Sequence, residues 1–152
     1  MKVLYHCFGG THSSVLAAAV HTGMLAPDEI PTPDKLLSLP LYDKQDGDDY
    51  GRIHYYGQDP AGHQVYIVGR RNHGAETEMI LAGLYSAFGL QTGLKVVDST
   101  PALNWAMQLG GYLSRGMGLK AIGRFLVTWG SRKAYRKVVG LVDEAKKELP
   151  ED

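Results

Sequence analysis

The sequence predicts an α/β fold: a single three-layer domain over residues 1–152, with a short, largely parallel sheet, one β-hairpin and a helical C-terminal third. Short apolar runs that alternate with helical patterns predict strands joined by helices, and therefore a parallel sheet. Two β-rich runs separated by Gly57 to Gly62 predict the hairpin. The segment from Ala102 to about Leu149 is helical in character.

The first elements are a strand, a loop and a helix. Apolar residues run from Val3 to Tyr5, the stretch CFGGTHSS follows, and an alanine-rich helical run comes next and ends near Gly23. Residues 26 to 51 hold four prolines and many aspartates. This composition predicts a long loop with one short helical turn near Asp34 to Leu39.

The later elements are a hairpin, a helix, a strand and further helices. The run GRIHYYGQDPAGHQVYIVG has Asp59-Pro60 in its predicted turn, and residues 75 to 90 form a helical pattern with acidic residues in the first turn. LKVVDST is a short buried strand, and Pro101 marks a helix start. Six glycines between positions 110 and 130 predict two or three helices rather than one.

Composition narrows the functions that the chain can serve. The 16 basic and 16 acidic residues argue against nucleic acid or a membrane as a partner. A single cysteine excludes an internal disulfide, the first residues lack the pattern of a secretory signal, and no window approaches the ~20 apolar residues of a membrane helix. We therefore predict a cytoplasmic protein. The sequence indicates no cofactor and leaves the oligomeric state open.

Three loops rich in polar and small residues follow the predicted strands: CFGGTHSS, GRRNHG and DSTPALN. Ligands of open α/β sheets bind outside the carboxyl ends of the strands, where such loops gather. A glycine-rich turn before a helix also aims free N–H groups at an anion. The sequence therefore predicts one composite anion site, whose candidate residues are Gly9, Gly10, Thr11, His12, Ser13, Ser14, Arg70 and Arg71.

Cys7 stands at the mouth of the first loop, where a helix N-terminus favours a thiolate nucleophile. The alternative is a small buried residue that ends a strand. Asp98 and His73 are candidate acids or bases, although Asp98 can also cap the helix that follows it. Asp59 is given no role, because Asp-Pro is ordinary in a turn.

Two further expectations concern the same loop. One of Ser13 and Ser14 is expected to cap the first helix, since serine is common at that position. His6, His12 and His73 raise the question of a metal site, but successive strand residues point to opposite faces, so His6 and Cys7 should diverge. The sequence therefore predicts no metal site.

The first loop resembles that of the low-molecular-weight protein tyrosine phosphatases, in which five residues separate a nucleophilic cysteine from Arg-Ser and a helix. Cys7, Gly9 and Ser14 fall into register, whereas Ser13 stands in place of the arginine. The resemblance implies a phosphate site with Cys7 as nucleophile. Arg70 or Arg71, on a neighbouring loop, is the expected substitute for the missing guanidinium.

The loop also resembles that of the IIB components of the lactose and cellobiose phosphotransferase systems, which carry a phosphorylated cysteine and have no loop arginine. Cys7, Gly10, Ser13 and Ser14 match. Over most of its length the chain is similar to an uncharacterised family of small proteins from spore-forming Firmicutes, a domain of unknown function. CFGGTHSSV, DSTPALN and GGYLSRGMG carry that similarity.

These observations predict a phosphate-like anion-binding protein, with a small anionic ligand as its partner. One hypothesis is a cysteine-dependent phosphoryl-transfer or phosphatase-like enzyme; the alternative is a non-catalytic regulatory protein that senses a small anionic metabolite or nucleotide. Arg115 to Lys137 holds seven basic residues and no acidic one, whereas residues 26 to 60 hold eight acidic and three basic. This asymmetry indicates a surface for a polyanion or acidic partner or, as we favour, an intramolecular match.

Overall fold

A computed structural model describes residues 1–44, 47–89 and 93–150. It contains four strands and five α-helices joined by shorter helical turns, in the α/β arrangement that the sequence predicts. The strands are β1 Lys2–Cys7, β2 His54–Gln58, β3 Gln64–Gly69 and β4 Leu94–Asp98, and the helices are α1 Ser13–His21, α2 Pro33–Ser38, α3 Gly74–Ala87, α4 Trp105–Gly111 and α5 Lys120–Lys147.

The sheet is mixed and mostly parallel, with the strand order β2-β3-β1-β4. β1 lies between β3 and β4 and runs parallel to both, while β2 and β3 form the predicted antiparallel hairpin. Cys7 pairs with Gly69, and His6 pairs with Asp98. The carboxyl ends of the three parallel strands therefore meet at one edge, which brings the three predicted loops together.

The two faces of the sheet are covered very differently. Val3 and Tyr5 point into a core shared with α1 and α5, and every residue of α1 is buried. Leu4 and His6 point to the other face, where His6 contacts Glu78 of α3, yet no residue of α3 is buried. Cys7 lies on the α1 side and His6 on the α3 side, as the alternation of strand side chains predicts.

The predicted start of the helix after β4 is wrong. Pro101 begins only the 3₁₀ turn Thr100–Ala102, because Leu103 adopts an extended conformation and interrupts the helix. α4 begins at Trp105, and the side chain of Asn104 caps it by accepting the N–H of Met107.

Three other predicted elements lie where the sequence places them. The short turn in the proline-rich loop is α2, which Thr32 caps. Gly23, with φ of +77°, follows the end of α1. The helix predicted over residues 75 to 90 is α3; Leu90 lies outside the described residues.

The C-terminal third consists of two α-helices with a π-helical segment, Tyr112–Gly116, between them. Glycines allow α4 and α5 to pack closely: a Cβ atom on Gly110 would lie 2.7 Å from the carbonyl oxygen of Gly123. The prediction of two or three helices is therefore confirmed. Although α5 spans 28 residues, none of the described helices has the length and apolar character needed to cross a membrane.

Candidate functional site

A pocket of about 590 Å³ opens at the edge of the sheet where β1, β3 and β4 end. The three predicted loops form one side of it, and α4 with the π-helical segment forms the other. The loops therefore gather as predicted, but they do not close the pocket alone. The residues with polar side chains around it are Cys7, His12, Tyr50, Arg70, Asn72, Thr100, Gln108, Tyr112 and Arg115.

Cys7 lies at the base of the pocket and is only 1% exposed. Its Sγ accepts the backbone N–H of Gly10 at 3.1 Å and lies 3.3 Å from Ser14 Oγ. Gly10 has φ of +67°, a left-handed conformation that glycine adopts without strain and that turns its N–H back toward the sulfur. One N–H donor and one hydroxyl group therefore contact the sulfur.

The hydroxyl groups of Thr11 and Ser13 connect the first loop to neighbouring segments of the chain. Thr11 donates to the carbonyl of Leu41 at 2.9 Å. Ser13 Oγ lies 3.2 Å from Ser99 Oγ, and Ser99 donates to the carbonyl of His6 at 2.8 Å.

The prediction that Ser13 or Ser14 caps α1 is wrong. The N-cap of α1 is His12, which makes no side-chain capping bond. Both serine hydroxyls are engaged elsewhere, Ser13 with Ser99 and Ser14 with Cys7. The serines follow the turn and connect the loop to β1 and to the segment after β4.

Arg70 is the member of the predicted pair that reaches the pocket. Its Nε donates to His6 Nδ1 at 3.1 Å, and its Nη2 donates to Thr100 Oγ1 at 2.8 Å and to Asp98 at 3.3 Å. Because His6 Nδ1 accepts this bond, its Nε2 donates to Glu78 at 3.0 Å. Burial lowers the pKa of His6, which is consistent with a neutral ring.

Asp98 serves as the counter-ion of Arg70 and accepts the N–H of Thr100 at 2.8 Å. Burial raises the pKa of Asp98, but the hydrogen bonds from Thr100 and the charge of Arg70 outweigh it and bring the pKa below its usual value. Asp98 is therefore ionised at neutral pH, and its role as an acid or base stays a prediction.

Arg71 and His73 face a different groove, which lies between α3 and the sheet. Arg71 has φ of +51°, and its guanidinium stacks 4.2 Å from the ring centroid of Tyr50. The His73 side chain is 70% exposed beside Glu76. The structure thus brings Arg70 to the Cys7 pocket and directs these two residues elsewhere.

Arg115, on the π-helical segment, lies against the first loop. A Cβ atom on Gly9 would lie 3.3 Å from Arg115 Nη2, and one on Gly111 would lie 3.2 Å from it. π-helical turns are rare and often occur at functional sites. Arg115 thus adds a second guanidinium group to the pocket, beside Gly9 of the first loop. Sequence reasoning missed this role, although the residue lies within the motif GGYLSRGMG.

Asp43 anchors Arg115 from below the pocket. Its side chain is 2% exposed, accepts Ser114 Oγ at 2.8 Å and lies 3.1 Å from His12 Nε2. The Nε atoms of Arg115 and Arg124 lie 3.7 and 3.5 Å from its oxygens. Burial raises the pKa of Asp43, but these partners, His12 first, outweigh it and lower the pKa below its usual value.

Asp43 also links the acidic and basic parts of the sequence. It belongs to the acidic segment, whereas Arg115 and Arg124 belong to the basic one. The favoured interpretation of the charge asymmetry, an intramolecular match, is confirmed for these two arginines. Asp43 itself has φ of +52°, an uncommon conformation for aspartate, and no local pattern singles it out.

His12 lines the pocket between the first loop and α4. Burial lowers its pKa, and the hydrogen bond with Asp43 opposes that shift without reversing it. A neutral ring that donates Nε2–H to Asp43 leaves Nδ1 as an acceptor. A Cβ atom on Gly111 would lie 2.7 Å from His12 Cε1, so glycine is needed for α4 to approach the ring.

Comparison with known proteins yields one family. The family described as "Protein of unknown function (DUF3189)" matches residues 2–147, nearly the whole chain. No curated protein gives a significant match, and neither does any solved structure.

Proposed function

We propose that this chain, which belongs to the family of proteins of unknown function (DUF3189), binds a small ligand with a phosphate-like anionic group in the pocket beside Cys7. One observation carries the proposal: Arg70 and Arg115, from separate parts of the fold, line the same pocket around the glycine-rich loop. Guanidinium groups recognise phosphate and carboxylate oxygens through paired N–H donors.

The charges around the pocket favour an anion. Arg115 and Arg124 both contact the carboxylate of Asp43, and the Arg115 guanidinium lines the pocket. His12 adds no charge while its ring is neutral. Asp98 balances Arg70 and holds its guanidinium in a fixed orientation. A partly enclosed site strengthens such interactions relative to open water.

The apolar residues of the pocket lining indicate the chemical character of the rest of the ligand. Phe8, Leu103 and Met107 line the pocket together with the ring of Tyr112. The volume of about 590 Å³ lies within the range of small-molecule sites. A ligand with an anionic end and an aromatic or apolar body, such as an aryl phosphate or a nucleotide, matches both the charged and the apolar residues of this lining.

Calorimetric titration with phenyl phosphate and with inorganic phosphate tests the proposal. Arg115→Gln should weaken binding at least tenfold, because a charged hydrogen bond contributes about 1.5–3 kcal/mol. The matched control, Arg71→Gln, removes a guanidinium that faces another groove and should leave affinity unchanged. Equal effects of the two substitutions, or no binding by wild type at millimolar concentrations, would refute the proposal.

A second candidate function is phosphoryl transfer through Cys7, favoured by the contacts of its sulfur with Gly10 and Ser14. In this step Cys7 Sγ attacks phosphorus, an S–P bond forms, the P–O bond to the leaving group breaks, and the thiol proton passes to that oxygen. Water then attacks phosphorus, the S–P bond breaks, and inorganic phosphate leaves while one proton of the water returns to the sulfur. Turnover of an aryl phosphate that disappears in Cys7→Ser would support this function, whereas binding without turnover would support the regulatory alternative.

A further inference from the structure

Three buried side chains converge at the edge of the sheet opposite the pocket. His21 ends α1, and Asp59 and His63 flank the turn between β2 and β3. Their side chains are 0%, 4% and 5% exposed. His21 Nε2 and His63 Nδ1 lie 3.1 and 3.0 Å from the same oxygen, Asp59 Oδ2. One potential ligand atom from each residue lies within 4.8 Å of the other two.

The hydrogen bonds of this cluster leave its buried carboxylate without a lysine or arginine counter-ion. In residues 1–44, 47–89 and 93–150, the ion-pair partners of Asp59 are His21 and His63, with no lysine or arginine among them. A buried carboxylate is costly unless a positive charge compensates it.

We propose that His21, Asp59 and His63 form a binding site for a divalent transition-metal ion, with zinc as the preferred ion. Ligand atoms 2.0–2.1 Å from a tetrahedral zinc lie about 3.3 Å from one another. The two nitrogen–oxygen distances of 3.1 and 3.0 Å need only a small expansion to reach that spacing. Two imidazoles and one carboxylate are a common zinc-binding set.

The groups behind the ligands hold them in the orientation that a metal requires. Tyr5 Oη lies 2.7 Å from His21 Nδ1, so a ring that turns Nε2 toward the metal can donate its other N–H to the tyrosine. The backbone N–H of His63 donates to Asp59 Oδ1 at 2.8 Å and leaves Oδ2 for the metal. Outer partners of this kind fix tautomer and ring orientation at metal sites.

The position of the site assigns the ion a structural role. His21 lies at the C-terminal end of the buried helix α1, whereas Asp59 and His63 belong to the hairpin turn. A metal held by both would connect the helix to the hairpin. No metal site was predicted from the sequence because only His6, His12 and His73 were considered as ligands. His21 and His63 were not among the candidates.

The direct test uses the wild-type chain without a histidine tag, first stripped with EDTA and then titrated with Zn²⁺ and with Co²⁺. We expect one ion per chain, a visible Co²⁺ absorption of tetrahedral intensity, and a rise in the melting temperature on addition of Zn²⁺. A folded wild-type chain that binds neither ion, or that shows only an octahedral Co²⁺ spectrum, would overturn the proposal.

Variants locate the ion. His63→Gln keeps a polar side chain but should weaken Zn²⁺ binding by more than the 10–100-fold that loss of an outer partner costs. Tyr5→Phe keeps the buried ring and should weaken binding about tenfold, which provides a milder variant if His63→Gln does not fold. His73→Gln is the matched control and should bind normally. Equal Zn²⁺ affinity in all three variants would place the ion elsewhere and refute this site.

Discussion

Two buried aspartates at opposite edges of the sheet have different partners for their negative charge. Asp43, below the pocket, pairs with the guanidinium groups of Arg115 and Arg124 as well as with His12. Asp59, beside the hairpin turn, accepts hydrogen bonds from His21 and His63. The first carboxylate has two arginines among its ion-pair partners; the second, in the described part of the chain, has two histidines and no lysine or arginine.

The difference indicates what each edge can bind. At the Asp43 edge, the guanidinium groups of Arg70 and Arg115 line an open pocket, which suits an anion. At the Asp59 edge, a carboxylate and two imidazoles converge where the side chains are at most 5% exposed, which suits a small cation. The two proposed sites therefore take ligands of opposite charge at the two edges of one sheet.

The largest expected effect is on stability. In the presence of EDTA, Asp43→Asn should lower the free energy of unfolding by about 3 kcal/mol, because it leaves two arginines without their buried counter-ion. Asp59→Asn should cost only about 1 kcal/mol, since His21 and His63 can change tautomer to suit an amide. Urea denaturation of both variants measures the difference, and equal losses would contradict the contrast between the two edges.

A glycine at the pocket should be the next most sensitive position. Gly111→Ala would place a Cβ atom 2.7 Å from His12 Cε1, and such overpacking typically costs about 1–3 kcal/mol. Gly140→Ala in α5 is the matched control, since nothing lies within 4 Å of its added Cβ, and it should stabilise the helix slightly. If thermal denaturation shows both variants to be as stable as wild type, α4 does not pack on His12 as described.

Both edges contain histidines that the fold keeps neutral, so stability should fall in mild acid. Burial lowers the pKa of His12, and it lowers that of His21 to about 4, whereas the unfolded value is about 6.5. Their contribution is complete above pH 6.5 and is lost as pH falls toward the folded pKa. Each histidine therefore accounts for up to about 1.4 kcal/mol per pH unit in that window.

Urea unfolding at several pH values between 7.5 and 5, with EDTA present, measures this slope. His12→Gln should reduce the slope of the free energy of unfolding against pH. The control, His73→Gln, changes an exposed residue and should leave the slope unchanged. A free energy of unfolding that stays constant over this range would show that these rings are not held neutral.

The smallest effect should come from Cys7. Its sulfur lies at the base of the pocket, whereas the proposed charge–charge contacts come from Arg70 and Arg115. Cys7→Ser should therefore change the affinity for phenyl phosphate less than about threefold while it removes any turnover. Calorimetry and a phosphate-release assay on the same preparations separate the two, and a tenfold loss of affinity would make the sulfur a principal ligand contact.

The sequence predicted the architecture well because strands and helices are encoded locally. The pattern of apolar residues and the positions of the glycines were enough to predict the parallel strands, the hairpin and the meeting of the three loops. The helix that follows β4 was placed too early, since Pro101 favours any helical turn and the extended Leu103 could not be foreseen.

The site was predicted only in part because its decisive contacts join distant segments. Cys7 and Arg70 were found, since each follows a strand at the same edge. Arg115 and Asp43 were missed, because their 3.7 Å contact depends on how the C-terminal helices fold back over the first loop. His21 and Asp59, 38 positions apart in sequence, escaped notice for the same reason.

In the π-helical segment Tyr112–Gly116, the number of residues determines the direction in which Arg115 points. Such a turn holds an additional residue compared with an α-helical one, and each residue rotates a helix by about 100°. A relative with one residue fewer between Gly111 and Met117 could form a regular helix through this region, but its arginine would then turn away from the first loop. Deletions in this short segment should therefore separate relatives that retain the pocket chemistry from those that share only the fold.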